Sequence, residues 1–132
     1  MSTVRPDLLY SEEHEWAEVL KPGTVRVGIS AFAQSQLGDI VFVELPELGQ
    51  AVQAGESLGT IESVKTVSDL FAPVSGKVSR INEELLNKPE AVNEDPYGEG
   101  WMVEIELDSQ DGEALKRLLT AEQYEAYIEA AH

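Results

Sequence analysis

A single lysine, Lys65, stands between two runs of residues that have the composition of short β-strands. It is the only basic residue between Arg26 and Lys77. Glu62 precedes it and Asp69 follows it along the same predicted hairpin, where a modifying enzyme could easily select an unpaired cation. A lysine amine on its flexible stem can be acylated, whereas an arginine guanidinium remains charged. The pattern fits either an ordinary solvated lysine of a hairpin or the attachment point of a swinging arm, which would hold a reactive group at an effective concentration on the order of millimolar.

Few other side chains in the sequence could take part in a reaction. There is no cysteine, which excludes a protein thiol nucleophile and cysteine-ligated zinc. His14 and His132 are the only imidazoles, and no catalytic triad is visible around either. Glu13, His14 and Glu15 are consecutive, so on an extended segment they would point to alternate faces and not converge on a metal. We therefore predict neither catalytic residues nor a metal site.

The charge of the chain limits its partners. The formal net charge is -16, which repels the phosphates of nucleic acids and anionic membrane surfaces. The same charge can serve solubility or can steer the protein toward basic patches on partner proteins. No apolar run approaches the ~20 residues of a membrane helix, and residues 1–10 lack the features of a signal or transit peptide. We expect a cytoplasmic protein that binds neither nucleic acid nor membrane.

The elements that must position Lys65 are mainly strands. Alternation of apolar and polar residues predicts half-buried strands at residues 25–29 and 101–107. The dense β-branched and aromatic run at residues 40–45 predicts a strand with both faces covered. Between residues 49 and 76, short apolar pieces are punctuated by glycines, which is typical of brief strands joined by tight turns.

Helices are expected at only a few places. Ser30 predicts the N-cap of a short helix, which Gly38 would end in the left-handed conformation. Thr120 and Gln123 have the spacing of a capping box for a helix near the C-terminus. Three leucines before this box have the spacing of one helical face. They are Leu115, Leu118 and Leu119.

The segment around Lys65 resembles the lipoyl attachment hairpin of the glycine cleavage system H-protein family. The resemblance rests on Glu62-Ser63-Val64-Lys65, then Ser68-Asp69-Leu70 and Ala72-Pro73-Val74-Ser75-Gly76. Other matches, in the family's order, are His14-Glu15-Trp16, Gly28-Ile29, Ala33-Gln34, Gly38-Asp39-Ile40-Val41-Phe42-Val43-Glu44-Leu45-Pro46, Val92-Asn93, Asp95-Pro96-Tyr97-Gly98 and Gly100-Trp101. Together they extend over roughly residues 9 to 128. Biotin carriers usually place their lysine between methionines, so the neighbours Val64 and Thr66 favour a lipoyl group.

The resemblance implies a mainly β fold, the barrel-sandwich hybrid of lipoyl and biotinyl carriers, with short peripheral helices and a C-terminal helical segment. The pattern of predicted elements leads independently to the same layout. We expect one lipoyl-carrier domain over residues 1–132. Its core would comprise about residues 9–108, and its C-terminal helices about residues 111–131.

The resemblance also implies a non-catalytic carrier with lipoate bound covalently to Lys65 as N6-lipoyllysine. A lipoyl ligase or lipoyl transferase would attach the group. The arm would accept an aminomethyl group from glycine decarboxylase, the P protein, and deliver it to aminomethyltransferase, the T protein. Dihydrolipoyl dehydrogenase, the L protein, would then reoxidise the arm.

In this family the loaded arm folds back into a cleft of its own protein. Glu15 and Asp69 match acidic positions of that cleft, where a carboxylate could pair with the protonated amine, and His14 would border it. Both acids could instead be ordinary surface carboxylates. Phe32 departs from relatives that carry a polar ring at its position, since a phenyl group cannot form a hydrogen bond there.

Two other functions are compatible with the sequence. An H-like relay would donate its lipoyl group to other complexes. An unmodified interaction module would share the fold but leave Lys65 bare. Reconstitution with P and T proteins tests the first, and mass analysis after treatment with a ligase tests the second.

Overall fold

The structure is a computed structural model that describes residues 4–21, 23–107 and 113–130. The strands are β1 (Leu9–Tyr10), β2 (Glu15–Lys21), β3 (Thr24–Ile29), β4 (Ile40–Glu44), β5 (Ala51–Val52), β6 (Ser57–Ser63), β7 (Val67–Phe71), β8 (Gly76–Ile81), β9 (Val103–Leu107) and β10 (Leu119–Thr120). The helices are α1 (Ala31–Leu37), α2 (Glu84–Asn87), α3 (Ala91–Glu94), α4 (Glu113–Lys116) and α5 (Ala121–Ala130). In the described ranges, no helix is long and apolar enough to cross a membrane.

The strands form two antiparallel sheets that share one apolar core. The larger sheet has the order β10-β1-β2-β3-β9-β8-β5, and the smaller one has the order β4-β6-β7. Val27 and Ile105 of the larger sheet and Val43 and Ile61 of the smaller sheet are almost completely buried in the same cluster. Burial of such apolar side chains supplies the main driving force for packing the sheets together. The prediction of a mainly β fold with short peripheral helices is confirmed.

A second, aromatic cluster fixes the C-terminal helix α5 against the larger sheet. Tyr124 of α5 stacks on Tyr10 of β1, with ring centroids 4.4 Å apart and planes 1° from parallel. The predicted capping box is present, since Gln123 N donates to Thr120 Oγ1 at 3.2 Å and Thr120 N donates to Gln123 Oε1 at 3.0 Å. The two bonds satisfy the backbone N–H groups of Thr120 and Gln123 and fix the chain where α5 begins.

Helix α1 begins as the sequence predicts. The Ser30 hydroxyl accepts a hydrogen bond from Ala33 N at 3.1 Å. Gly38 follows the helix with φ 82° and ψ -151°. The positive φ was expected, but this ψ lies far from the left-handed helical region, so that part of the prediction is wrong. The chain turns directly from α1 into β4, and only glycine adopts such a conformation readily.

The prediction that both faces of the strand at residues 40–45 are covered is wrong. Val41 is 49% exposed and Phe42 is 47% exposed. The register of β4 against β6 shifts between Ile40 and Phe42, which is the signature of a β-bulge. Composition could not reveal this, because β-branched and aromatic residues favour strands whether or not their outer face is covered.

The predicted helical face of three leucines is also wrong. Helix α4 ends at Lys116, and Leu119 belongs to the short strand β10, where it is paired with Tyr10. Pairing with β1 holds residues 119–120 extended immediately before the capping box. The structure does not describe residues 108–112, 131 and 132. The end of the predicted core, parts of the predicted C-terminal helices and His132 therefore lie outside the described residues.

The half-buried strand predicted at residues 101–107 is present as β9, although it begins at Val103. The alternation in the sequence predicts that Glu104 and Glu106 lie on one exposed face of this strand. In the structure, however, Glu104 is only 4% exposed. Arg26, its partner on β3, lies with Nη2 2.7 Å from Glu104 Oε2. Buried charges in proteins are normally paired, and this ion pair explains how a carboxylate is accommodated there.

Candidate functional site

Lys65 lies exposed at the turn between β6 and β7, where the sequence predicts a hairpin tip. The Ser63 hydroxyl organises this turn by accepting hydrogen bonds from Lys65 N at 3.2 Å and Thr66 N at 3.1 Å. The same hydroxyl donates to Thr66 O at 3.2 Å. A local side-chain bond of this kind stabilises a tight turn. The lysine therefore extends from a fixed backbone and remains accessible to other molecules.

The loop after helix α1 supports the hairpin from below. Asp39 O accepts a hydrogen bond from Val64 N at 3.1 Å. A Cβ placed on Gly38 would lie 3.5 Å from Lys65 Cε and 3.9 Å from Lys65 Nζ. The aliphatic stem of the lysine thus lies over a residue that has no side chain of its own.

The three predicted cleft residues border one cavity of about 310 Å³. Its polar side includes Glu13, His14, Glu15, Ser68 and Asp69. Its apolar side includes Ile29, Phe32, Leu37 and Ile61. Ser68 is three residues from Lys65, so their Cα atoms are at most about 11 Å apart. The cavity therefore begins close to the lysine and combines an apolar wall with acidic groups.

Glu15 is a buried acid and not a surface carboxylate. It is 2% exposed, and the Ser11 hydroxyl donates to its Oε1 at 2.7 Å. Phe71 N of β7 donates to its Oε2 at 3.1 Å. Burial raises the pKa of Glu15 to about 8, the charge of Glu13 adds to this effect, and the two hydrogen bonds oppose it. Glu15 is therefore mostly protonated at neutral pH when the cavity holds no cation.

Asp69, by contrast, is exposed at the rim of the cavity. The Ser57 hydroxyl lies 3.4 Å from its Oδ1. Asp69 is therefore both a surface carboxylate and a residue of the cavity rim. The two acids thus differ, since Glu15 is buried and hydrogen-bonded while Asp69 is exposed to solvent.

His14, which borders the cavity, has an unusual backbone conformation. Its φ is 69°, a value uncommon for any residue except glycine. The segment is consequently not extended, and Glu13, His14 and Glu15 all border the same cavity. The prediction that these three side chains point to alternate faces assumed an extended segment, and the positive φ of His14 departs from that conformation. Across the described ranges, no group of three or more His, Asp or Glu side chains is arranged to hold a metal ion.

One hydroxyl of helix α5 connects two walls of the cavity. Tyr124 Oη lies 2.8 Å from His14 Nδ1 and 2.7 Å from Ser30 Oγ. Ser30 is completely buried, and its hydroxyl oxygen already accepts a hydrogen bond from Ala33 N. The Ser30 hydroxyl therefore donates its own proton to Tyr124 Oη. Tyr124 then donates to His14 Nδ1, which leaves the proton of a neutral His14 on Nε2. Burial lowers the pKa of His14, which agrees with a neutral ring.

Sequence reasoning missed Ser11, Ser30 and Tyr124 as residues that shape the cavity. Tyr124 is separated from His14 by 110 residues, and no local pattern marks such a contact. Ser30 was identified only as a helix cap. Phe32 was singled out correctly as part of the wall, and its ring centroid lies 5.0 Å from that of His14.

Comparisons with known proteins agree on one family. The profile of the family described as Glycine cleavage H-protein matches residues 8–131. The Glycine cleavage system H protein of Mycolicibacterium vanbaalenii is 53% identical over 129 residues, covering 97% of this chain and 98% of the relative. That of Coprothermobacter proteolyticus is 54% identical, with 92% and 94% covered. That of Mycobacterium tuberculosis strain H37Rv is 55% identical, with 91% and 90% covered.

A solved structure shows the same fold. The crystal structure of a glycine cleavage system H protein from Mycobacterium marinum superposes with a TM-score of 0.86 and 40% sequence identity. The match covers 96% of this chain and 99% of that protein. It confirms the predicted barrel-sandwich hybrid with a C-terminal helix. Profile, sequence relatives and structure all lead to the same conclusion, that this chain belongs to the glycine cleavage H-protein family.

Proposed function

We propose that this chain is the lipoyl carrier of a glycine cleavage system and that its lipoyl group is attached to Lys65. The family carries a lipoyl group and works within the glycine cleavage complex. The observation that supports Lys65 is its exposed position at a rigid turn beside the cavity. Attachment would form an amide between lipoate and Nζ, which removes the positive charge of the lysine.

The residues around Lys65 fit such a group. The apolar wall formed by Ile29, Phe32 and Leu37 suits a hydrocarbon arm with a sulfur-containing ring. Glu15 and Asp69 suit the protonated amine that the loaded arm would carry. When bound, the lipoyl disulfide supplies the chemistry, accepting an aminomethyl group and later undergoing reoxidation.

The chain's own residues would shelter the amine and contribute no catalytic group. A cation beside Glu15 favours its carboxylate form, so the proton of Glu15 would leave as the amine enters. The neutral His14 ring and the Phe32 ring would limit access of water on the other side of the cavity. Phe32 offers no hydrogen bond, so in this chain the acids carry the polar recognition.

The specific partners follow from the same proposal. They are the P, T and L proteins, together with a lipoyl ligase or transferase that modifies Lys65. A surface rich in carboxylates would favour basic docking patches on these enzymes. We also propose action in the cytoplasm, where tetrahydrofolate and NAD are available to the partner enzymes of a bacterial cell.

The direct test is acylation of the purified chain by a lipoyl ligase with lipoate and ATP. We expect the intact mass to increase by one lipoyl group and peptide mapping to place it on Lys65. Lys65→Arg should abolish the increase and leave the melting temperature unchanged, because the side chain lies exposed at a turn. Lys88→Arg, at another exposed lysine, serves as the matched control and should be modified normally.

Two results would contradict the proposal. Wild-type protein that stays bare would favour an unmodified interaction module. Lipoylated protein that does not support glycine decarboxylation with P protein, yet donates its lipoyl group to other complexes, would favour a relay.

A further inference from the structure

The side chain of Asn93 binds both ends of the loop that supports the Lys65 hairpin. Asn93 lies on α3, and its Nδ2 donates to Gly38 O at 2.8 Å. Its Oδ1 accepts a hydrogen bond from Ile40 N at 2.8 Å. One amide group therefore holds the residues on either side of Asp39 with both of its polar atoms.

Asp39 and Gly38 in turn contact the hairpin. The carbonyl of Asp39 accepts the Val64 N–H at 3.1 Å, one residue before the lysine. Gly38 lies beneath the stem of Lys65. A continuous path of hydrogen bonds and packing thus leads from Asn93 through the loop to the backbone of Val64 and the side chain of Lys65.

From these contacts we infer that Asn93 is a positioning residue that sets the orientation in which Lys65 is presented to the enzyme that acylates it. The inference rests on the proposed attachment of lipoate to Lys65. The Asn93 amide is bonded to the loop and not to the reacting amine, so it acts on the lysine through the loop. A bond to each end of the loop leaves the Asp39 carbonyl aimed at the hairpin.

The chemistry of this position requires an amide. An amide offers a donor and an acceptor on one planar group, which matches the Gly38 carbonyl and the Ile40 N–H. Aspartate retains the acceptor for Ile40 N but places a second acceptor against Gly38 O. Alanine removes both bonds. Asn93→Asp therefore keeps the bond to Ile40 N but replaces the bond to Gly38 O with repulsion between two acceptors, whereas Asn93→Ala removes both bonds without adding repulsion.

The test measures lipoylation kinetics of the full chain with a lipoyl ligase, together with amide hydrogen exchange. If about one tenth of Asn93→Ala molecules keep the productive loop, KM for the chain rises about tenfold while kcat stays within twofold. Asn93→Asp should also raise KM, because its carboxylate repels the Gly38 carbonyl that the amide holds. The amide of Val64 should exchange faster in both variants, because the Asp39 carbonyl that accepts its hydrogen bond is held less firmly. The amide of Ile40 should exchange faster mainly in Asn93→Ala, which removes its acceptor. Asn87→Ala, at an exposed asparagine of α2, is the control and should match wild type in both measurements.

The outcomes separate this inference from the proposed function. Unchanged KM together with unchanged exchange at Val64 and Ile40 would overturn the positioning role even if Lys65 is lipoylated. A wild-type chain that is never acylated would refute the proposed function, while the exchange measurement would still decide whether Asn93 orders the loop. If Asn93→Ala fails to fold, Asn93→Asp provides both measurements. A general rise in exchange throughout the chain would show a merely structural role and would also overturn the inference.

Discussion

At the scale of single residues, Glu15 makes a large pH-dependent contribution to the stability of the protein. Its pKa is raised from 4.5 to about 8, so the folded state binds this proton more tightly than the unfolded state does. The contribution of Glu15 to the free energy of unfolding is therefore complete below about pH 4.5 and decreases as the pH rises to about 8.

Glu15→Gln should remove this dependence, because glutamine is similar in shape and does not titrate. Between pH 5 and pH 8 we expect the wild type to lose roughly 3 kcal/mol more of its free energy of unfolding than the variant does. Urea unfolding at a series of pH values measures the difference. The exposed Glu125→Gln variant is the control and should follow the wild type. Parallel curves for wild type and Glu15→Gln would show that Glu15 titrates normally.

At the scale of elements, close contact between β4 and β6 depends on Gly59. A Cβ at this position would collide with the backbone carbonyl oxygen of Glu44, which cannot move without disturbing the strand pairing. This requirement concerns space, since Gly59 is not among the glycines with positive φ. The small sheet, which carries the Lys65 hairpin, consequently requires a residue without a side chain at position 59.

Gly59→Ala should lower the free energy of unfolding by about 3 kcal/mol, the upper part of the range for an overpacked site. Gly49→Ala provides a contrast, because Gly49 has φ 82° and a Cβ added there would meet no atom within 4 Å, so only backbone strain of about 1 kcal/mol is expected. Chemical denaturation of the two variants compares these costs. Equal losses would indicate that β4 shifts easily to accept the methyl group.

The elements that sequence predicted best are those specified by neighbouring residues. The Lys65 turn, the Ser30 cap and the box formed by Thr120 and Gln123 all depend on residues within three or four positions of one another. The exposure of Phe42 was mispredicted because it depends on the layer beyond the sheet. The burial of Glu15 was not foreseen because its partners come from a distant strand and from an inconspicuous serine.

At the scale of the whole molecule, the C-terminal helix is part of the cavity's framework. Tyr124 reaches across from α5 to His14 and to Ser30, the cap of α1. Helix α5 thus adds a side-chain link between His14 and Ser30, which the backbone bond from Ser30 N to His14 O also joins.

Tyr124→Phe should reduce the free energy of unfolding by about 2 kcal/mol, because the buried Ser30 hydroxyl loses its partner. In the lipoylated protein, the same change should speed the loss of a bound aminomethyl group, since His14 and α1 are held less firmly. Calorimetry and mass analysis of the loaded protein measure the two effects. Tyr127→Phe is the control, because the Tyr127 ring packs beside His14, with centroids 5.8 Å apart, while the bond to His14 Nδ1 comes from Tyr124. If Tyr124→Phe keeps the stability of the wild type and loses the aminomethyl group at the same rate, α5 does not help to hold the cavity.

The bond from Phe71 N to Glu15 joins β7 of the small sheet to β2 of the large one. Glu15, which borders the cavity, therefore also connects the two sheets. Each amine that settles beside Glu15 would expel one proton near neutral pH, so acidic surroundings would compete with docking and alkaline ones would favour it. On the proposed function, acidity of the medium and retention of the carried group would thus be linked through a single side chain.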